Sequence, residues 1–229
     1  LATAFTPRGV LTAALGGVPL LIRTLSLRGV ILLTTWLAAG FGDVSLAAHQ
    51  VAMTLWGFLA FALDALAIAA QALLGKELGA RDVSRQQDRD AVRLLMRRLL
   101  RWGLGFGVVT GLLVGVLGPR LGFLFTDSQD VQALFGVSLL VVAVGQPVAA
   151  FVFVLDGVLM GAGDAPYLAK VGSLIAVLIL PGAIAVALWA PGDPLGLALL
   201  WLACNFFFMV LRAISLGLRV RTDEWMRLG

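Results

Sequence analysis

From Leu46 to Leu74 the chain carries one acid, Asp64, and no lysine or arginine, and it then runs into a segment, Lys76 to Arg101, that holds eight cations. A bilayer core takes about 20 apolar residues per helix, and short cation-rich connections stay on the cytoplasmic side because such charges resist transfer. The stretch therefore reads as a membrane-crossing helix that ends at the inner surface. Composition agrees: 60% of the 229 residues are hydrophobic and 13% are charged, with a mean hydropathy of +1.00, where soluble domains run at about 45–50% and 25%. Apolar surface on that scale cannot be hidden in a soluble core, so the lipid bilayer is a partner. A net charge of +4 does not point to nucleic acid, because the cations flank apolar runs and no recognition motif accompanies them. The single cysteine, Cys204, excludes an internal disulfide framework and a cysteine-rich metal site.

Read in order, the chain is all-α, a bundle of six transmembrane helices occupying residues 20–218. Residues 1–19 form a cytoplasmic lead-in too broken to span, and residues 219–229 form a cytoplasmic tail. The spans fall at about Leu20 to Gly40, Leu46 to Leu74, Leu99 to Leu117, Val131 to Leu155, Leu168 to Trp189 and Leu195 to Leu216. The basic segment between the second and third is read as a loop. Gly107, Gly111 and Gly115 give the third span a smooth face for close helix approach. Gln146-Pro147 predicts a kink in the fourth, and Pro191 to Pro194 a turn before the sixth. Six crossings put both ends on one side. That side then receives Arg8, the eight clustered cations, Lys170 and the tail arginines Arg219, Arg221 and Arg227, while Arg120 stands outside. The chain starts at Leu1 with no basic leader before the first apolar run and is expected to be a fragment.

An ionisable group at membrane depth needs a partner, a wet cavity or a role. On the second span, Gln50, Thr54, Gly57, Asp64, Gln71 and Gly75 share one stripe at about 100° per residue. That stripe either lines a cavity or forms an interhelical hydrogen-bond seam. Arg23 and Arg28 on the first span are the candidate partners for Asp64: Arg28 as the deeper, buried partner, Arg23 as a side chain that snorkels to the headgroups. A paired Asp64 stays ionised and staples helices, whereas an unpaired one exchanges protons. Asp156 at the end of the fourth span is either a cavity group or a solvated end, and Asp164 reads as a turn or cap residue. His49 is a hydrogen-bonded interfacial histidine without the companions of a metal site. Asn205, the amide of the sixth span, bonds across helices or touches substrate. No Ser-His-Asp set, phosphate loop or dinucleotide glycine signature is present, so the chain is not read as an enzyme and no cofactor is expected.

Three stretches together carry a family resemblance: Arg23-Thr24-Leu25; Ala47-Ala48-His49-Gln50 through Leu63-Asp64-Ala65 to Gly75-Lys76-Glu77-Leu78-Gly79-Ala80-Arg81; and Leu155-Asp156-Gly157 through Met160-Gly161-Ala162-Gly163-Asp164. In this ordered set the chain resembles the MATE family of multidrug and toxin extrusion transporters, its DinF-like branch, and looks like spans seven to twelve of such a protein. The resemblance implies a two-lobed antiporter in a bacterial inner membrane, exporting organic cations or other amphipathic small molecules in exchange for H+ or Na+. It also implies an N-terminal six-helix lobe as partner, holding most of the coupling acids. On this lobe the substrate or ion pathway would comprise Asp64, Gln71, Asp156, Arg28, Gln50 and Asn205. Ala149 and Ala150 stand where some members have a carboxylate, Ala65 where the branch often has Gly, and Gln71 where it often has Glu. A lipid-intermediate flippase of related architecture, which would need a more cationic cavity, and a non-transporting scaffold subunit are the alternatives.

Overall fold

The computed structural model describes residues 7–190 and 194–226, so residues 1–6 of the lead-in, the turn residues Pro191 to Asp193 and the tail cation Arg227 lie outside the described residues. The helices are α1 (Pro7–Gly40), α2 (Asp43–Ala80), α3 (Gln86–Leu117), α4 (Gln129–Gly161), α5 (Ala165–Leu178), α6 (Leu180–Trp189), α7 (Pro194–Trp201) and α8 (Phe207–Arg219). Five residues of π-helix, Leu202–Phe206, join α7 to α8. Counting α5 with α6 and α7 with α8 as continuous rods, six helices among the described residues are long and apolar enough to cross a membrane. The expected all-helical bundle of six spans is therefore present.

Two expected boundaries move, each for a physical reason. The first membrane-length segment, Gly17–Gly40, agrees with the expected span from about Leu20, but the helix that holds it reaches back to Pro7, with proline in the first turn, where its missing N–H is no loss. The basic segment is not a loop through Leu99: only residues 81–85 leave the helix, and α3 begins at Gln86. Asp82 organises that short turn by accepting hydrogen bonds from the Ser84 backbone N–H and hydroxyl, at 3.1 and 2.6 Å. These bonds hold its carboxyl below the ordinary aspartate pKa. Beyond it, Val92, Met96, Gly103, Gly107, Gly111 and Val114 are all buried. Their spacing of three, four or seven residues makes one stripe along α3, while Arg97, Arg98 and Arg101 face outward. The same periodicity that anchors the membrane part of α3 thus extends through the charged part.

Helix α4 lies at the centre. Against α3 the approach is close enough that a Cβ on Gly107 would sit 2.7 Å from Ala150 Cβ and one on Gly111 2.6 Å from the Ala143 carbonyl oxygen. Ala143 is the residue four before Pro147, whose ring leaves that carbonyl without its helical donor. The glycine face of α3 therefore covers the backbone group that proline frees, and α4 runs unbroken from Gln129 to Gly161. On its other side α4 meets α2 through Gly157 and Gly161. A fifth-span discontinuity that the apolar pattern does not show falls at Ile179, just before Pro181, which cannot donate to the preceding turn.

Asp223 accepts from Arg93 at 2.5 Å, and Trp225 and Met226 are buried in the same cluster as Val92 and Met96. The described part of the tail and the start of α3 therefore pack side by side. The Arg93–Asp223 pair is partly exposed, so Asp223→Ala is expected to cost no more than about 1 kcal/mol in thermal melting of the detergent-purified protein. A larger loss would mean that the ion pair, rather than burial of Trp225, holds the tail.

Candidate functional site

A cavity of about 300 Å³ opens between α1, α2, α4 and the π turn with α8. Its charged wall comes from four elements: Arg23 and Arg28 of α1, Asp64 of α2, Asp156 of α4 and Arg212 of α8. Apolar side chains, among them Trp56, Phe61 and Phe208, make up most of the rest.

Asp156 is the hub. It is 3% exposed, and its Oδ2 accepts from Arg23 Nη2 at 2.7 Å. Arg212, 2% exposed, donates from Nη2 to both carboxylate oxygens, at 2.6 and 2.7 Å. The Phe208 ring stacks near the Arg212 guanidinium, 5.8 Å from centroid to carbon, adding an attraction between cation and π face. One carboxylate thus bridges two arginines from helices at opposite ends of the chain. Asp156 is placed there because Gly157, its neighbour, lets α4 press against α2 and so fixes the rotation of α4 about its own axis.

The pairing differs from the one the sequence suggests. Arg23 does not snorkel away; it binds Asp156. Arg28 lines the cavity, is exposed, and makes no ion pair among the described residues. Asp64 likewise faces the cavity as an exposed side chain, close enough for Coulombic interaction with Arg23 and Asp156 but without an ion pair among the described residues. The physical reason is angular: Arg23 and Arg28 are five residues apart and point to different faces of α1, and the packing of α1 turns Arg23 toward α4. Of the six residues proposed for the pathway, Asp64, Asp156, Arg28 and Asn205 line this cavity, whereas Gln50 and Gln71 do not. Gln71 instead sits at the α2–α4 crossing, its carbonyl oxygen against Gly161.

Arg212 is the residue that sequence reasoning missed. A signal was present: it is a cation within the sixth span, where any ionisable group calls for a partner. Outside the cavity, His49 is fully buried, with Nε2 3.1 Å from Thr35 Oγ1, and its ring packs 5.5 Å from that of Trp201. Asp164 precedes α5 and accepts from Arg219 Nε at 2.8 Å.

Residues 19–185 match the family model described as MatE. The chain belongs to the MatE family. Among curated relatives of this MatE chain, DETOXIFICATION 44 of Arabidopsis thaliana, a chloroplastic protein, is 32% identical over 90% of the chain. DETOXIFICATION 42 from the same plant is 34% identical over 71%. The chain spans 38% and 30% of the lengths of those two relatives. The fold matches a crystal structure of the Vibrio cholerae MATE transporter VcmN, a mutant form, with a TM-score of 0.73 at 19% identity, covering 91% of this chain and 45% of that one. With six membrane-length helices and this family, the MatE chain is a multi-pass membrane protein.

Proposed function

We propose that this chain is the C-terminal six-helix lobe of a DinF-like MATE antiporter that exports organic cations or other amphipathic compounds in exchange for H+ or Na+. In this reading it lies in a bacterial inner membrane with the basic turn and tail in the cytoplasm, and an N-terminal lobe completes the cavity. The observation that carries it is the division of labour between two acids on one cavity wall. Asp156 is locked between Arg23 and Arg212; Asp64 faces the same space without an ion pair among the described residues. A carboxylate held by two arginines is poorly suited to exchanging a proton or metal ion with each cycle, so the exchangeable acid of this lobe is Asp64. The arginine pair sets the field it works in, and exposure of Asp64 supports the exchange role over the staple. Neutralising it by Asp64→Asn is expected to lower substrate efflux by the full-length protein about 100-fold or more, as for loss of a positioned acid–base group, with membrane insertion unchanged. Efflux at the wild-type rate would reject the assignment.

A second reading, transport of a lipid intermediate or other substrate with an anionic headgroup, gains support from Arg212. Three arginines against two acids leave the described cavity wall at net +1, where Arg23 and Arg28 alone would only balance Asp64 and Asp156. Arg28→Gln separates the readings: it should abolish transport of an anionic substrate and leave that of a cationic one at or above the wild-type rate.

A further inference from the structure

On α3, away from the main cavity, a charged end runs into an apolar groove. Arg98, Arg101, Trp102, Gly105, Phe106 and Val109 line this one open groove, and none of them lines the main cavity. Spacings of three and four residues put Arg98, Trp102, Gly105 and Val109 on one face of the helix, opposite the glycines that meet α4. Trp102 is 80% exposed and Val109 55%, and nothing lies within 4 Å of where a Cβ on Gly105 would sit. The charge beside the groove has one sign. Asp88 and Asp90, earlier in the helix, accept from Arg81 and Arg93 at 3.1 Å each, and no acid follows until Asp127. Arg97, Arg98 and Arg101 are exposed and make no ion pair among the described residues.

We propose that this groove binds one anionic phospholipid from the leaflet that meets the arginine end of α3, with its phosphate between Arg98 and Arg101 and one acyl chain lying over Gly105 between Trp102 and Val109. Charge complementarity selects the occupant. A guanidinium fork matches phosphate oxygens, whereas a zwitterionic lipid brings a cation of its own and a second copy of this face brings more arginines. The depth agrees: from Arg98 to Val109 the helix advances about 16 Å at 1.5 Å per residue, and one leaflet supplies half of a hydrocarbon core roughly 30 Å thick. Trp102, one turn below Arg98, then lies at the level where indole rings meet headgroups. Basic helix ends attract anionic lipid in general. Here one groove presents two arginines, an interfacial ring and an apolar path in register, so the lipid is held in a defined place rather than merely enriched nearby. The proposal rests on the chain being embedded in a membrane and not on what it transports.

The test places the full-length protein in phosphatidylcholine vesicles in which a minority of the lipid, either phosphatidylglycerol or phosphatidylcholine, carries bromine on its acyl chains. The readout is the tryptophan fluorescence that each protein loses beyond the loss in its Trp102→Phe counterpart. Brominated phosphatidylglycerol is expected to quench the Trp102 signal far more effectively than brominated phosphatidylcholine at equal content. That preference should fall about fivefold for each of Arg98→Gln and Arg101→Gln, the weight of one basic side chain at an anionic surface. Lys76→Gln combined with Arg85→Gln removes the same charge from exposed positions outside the groove and should leave most of the preference intact. Equal quenching by the two lipids, or an equal loss of preference in that control, would show diffuse attraction and overturn the site. A Trp102 signal quenched by neither lipid would show that protein covers this face, and would overturn it too. The four substituted cations are exposed, so the variants should fold.

Discussion

Asp156→Leu is expected to destabilise the protein by about 3–5 kcal/mol, the cost of stranding a buried charge by removing its partner. Here the effect falls at the upper end of that range, because two guanidinium groups lose one carboxylate and Arg212 has no route to solvent at 2% exposure. The informative comparison is the double variant Asp156→Leu with Arg212→Met. Replacing both members of a buried pair by apolar groups is often neutral, and Arg23, whose side chain is 20% exposed, can still turn toward the headgroups. Most of the loss should therefore return. Thermal melting of detergent-purified protein checks both. If the double variant melts as low as the single one, the loss comes from cavity formation rather than from unpaired charge, and the hub assigned to Asp156 is wrong.

Gly157→Val is the second large effect. A Cβ at this position would lie 2.1 Å from the Ala67 carbonyl oxygen and within 2.9 Å of the Ala67 Cα. Both obstacles are backbone, so no side chain can swing aside and α2 and α4 must separate. Overpacking commonly costs about 1–3 kcal/mol, and a rigid backbone on both sides with two added methyl groups puts this variant at or above the top of that range. Because the same crossing sets the rotation of α4, the Asp156–Arg212 contact should loosen with it. Gly105→Ala is the control: nothing lies within 4 Å of its Cβ position, and alanine is the better helix former, so stability should be unchanged or slightly raised. Equal melting temperatures for the two variants would show that the close α2–α4 crossing does not exist.

The legibility of this protein divides by distance along the chain. The amino-acid sequence by itself determined that six helices are long and apolar enough to cross, that eight cations cluster between Lys76 and Arg101, and where α3 offers its smooth face. Each of these depends on hydropathy or spacing within one helix, which follows from 3.6 residues per turn and the cost of charge in hydrocarbon. It also placed Asp64, Asp156, Arg28 and Asn205 among the polar groups of interest. Only the tertiary structure decided that Asp156 rather than Asp64 takes the arginines, that Arg23 rather than Arg28 supplies one of them, and that Arg212 supplies the other. Partner choice depends on the rotation of each helix about its axis, and that rotation is set by contacts such as Gly157 on Ala67, between residues far apart in the chain that no single-helix pattern records. The extension of α3 back to Gln86 stands between the two: Val92 and Met96 continue the stripe of α3, but what covers them is set by the fold. Its charged first turns look like a loop until Val92 and Met96 find the tail to pack against.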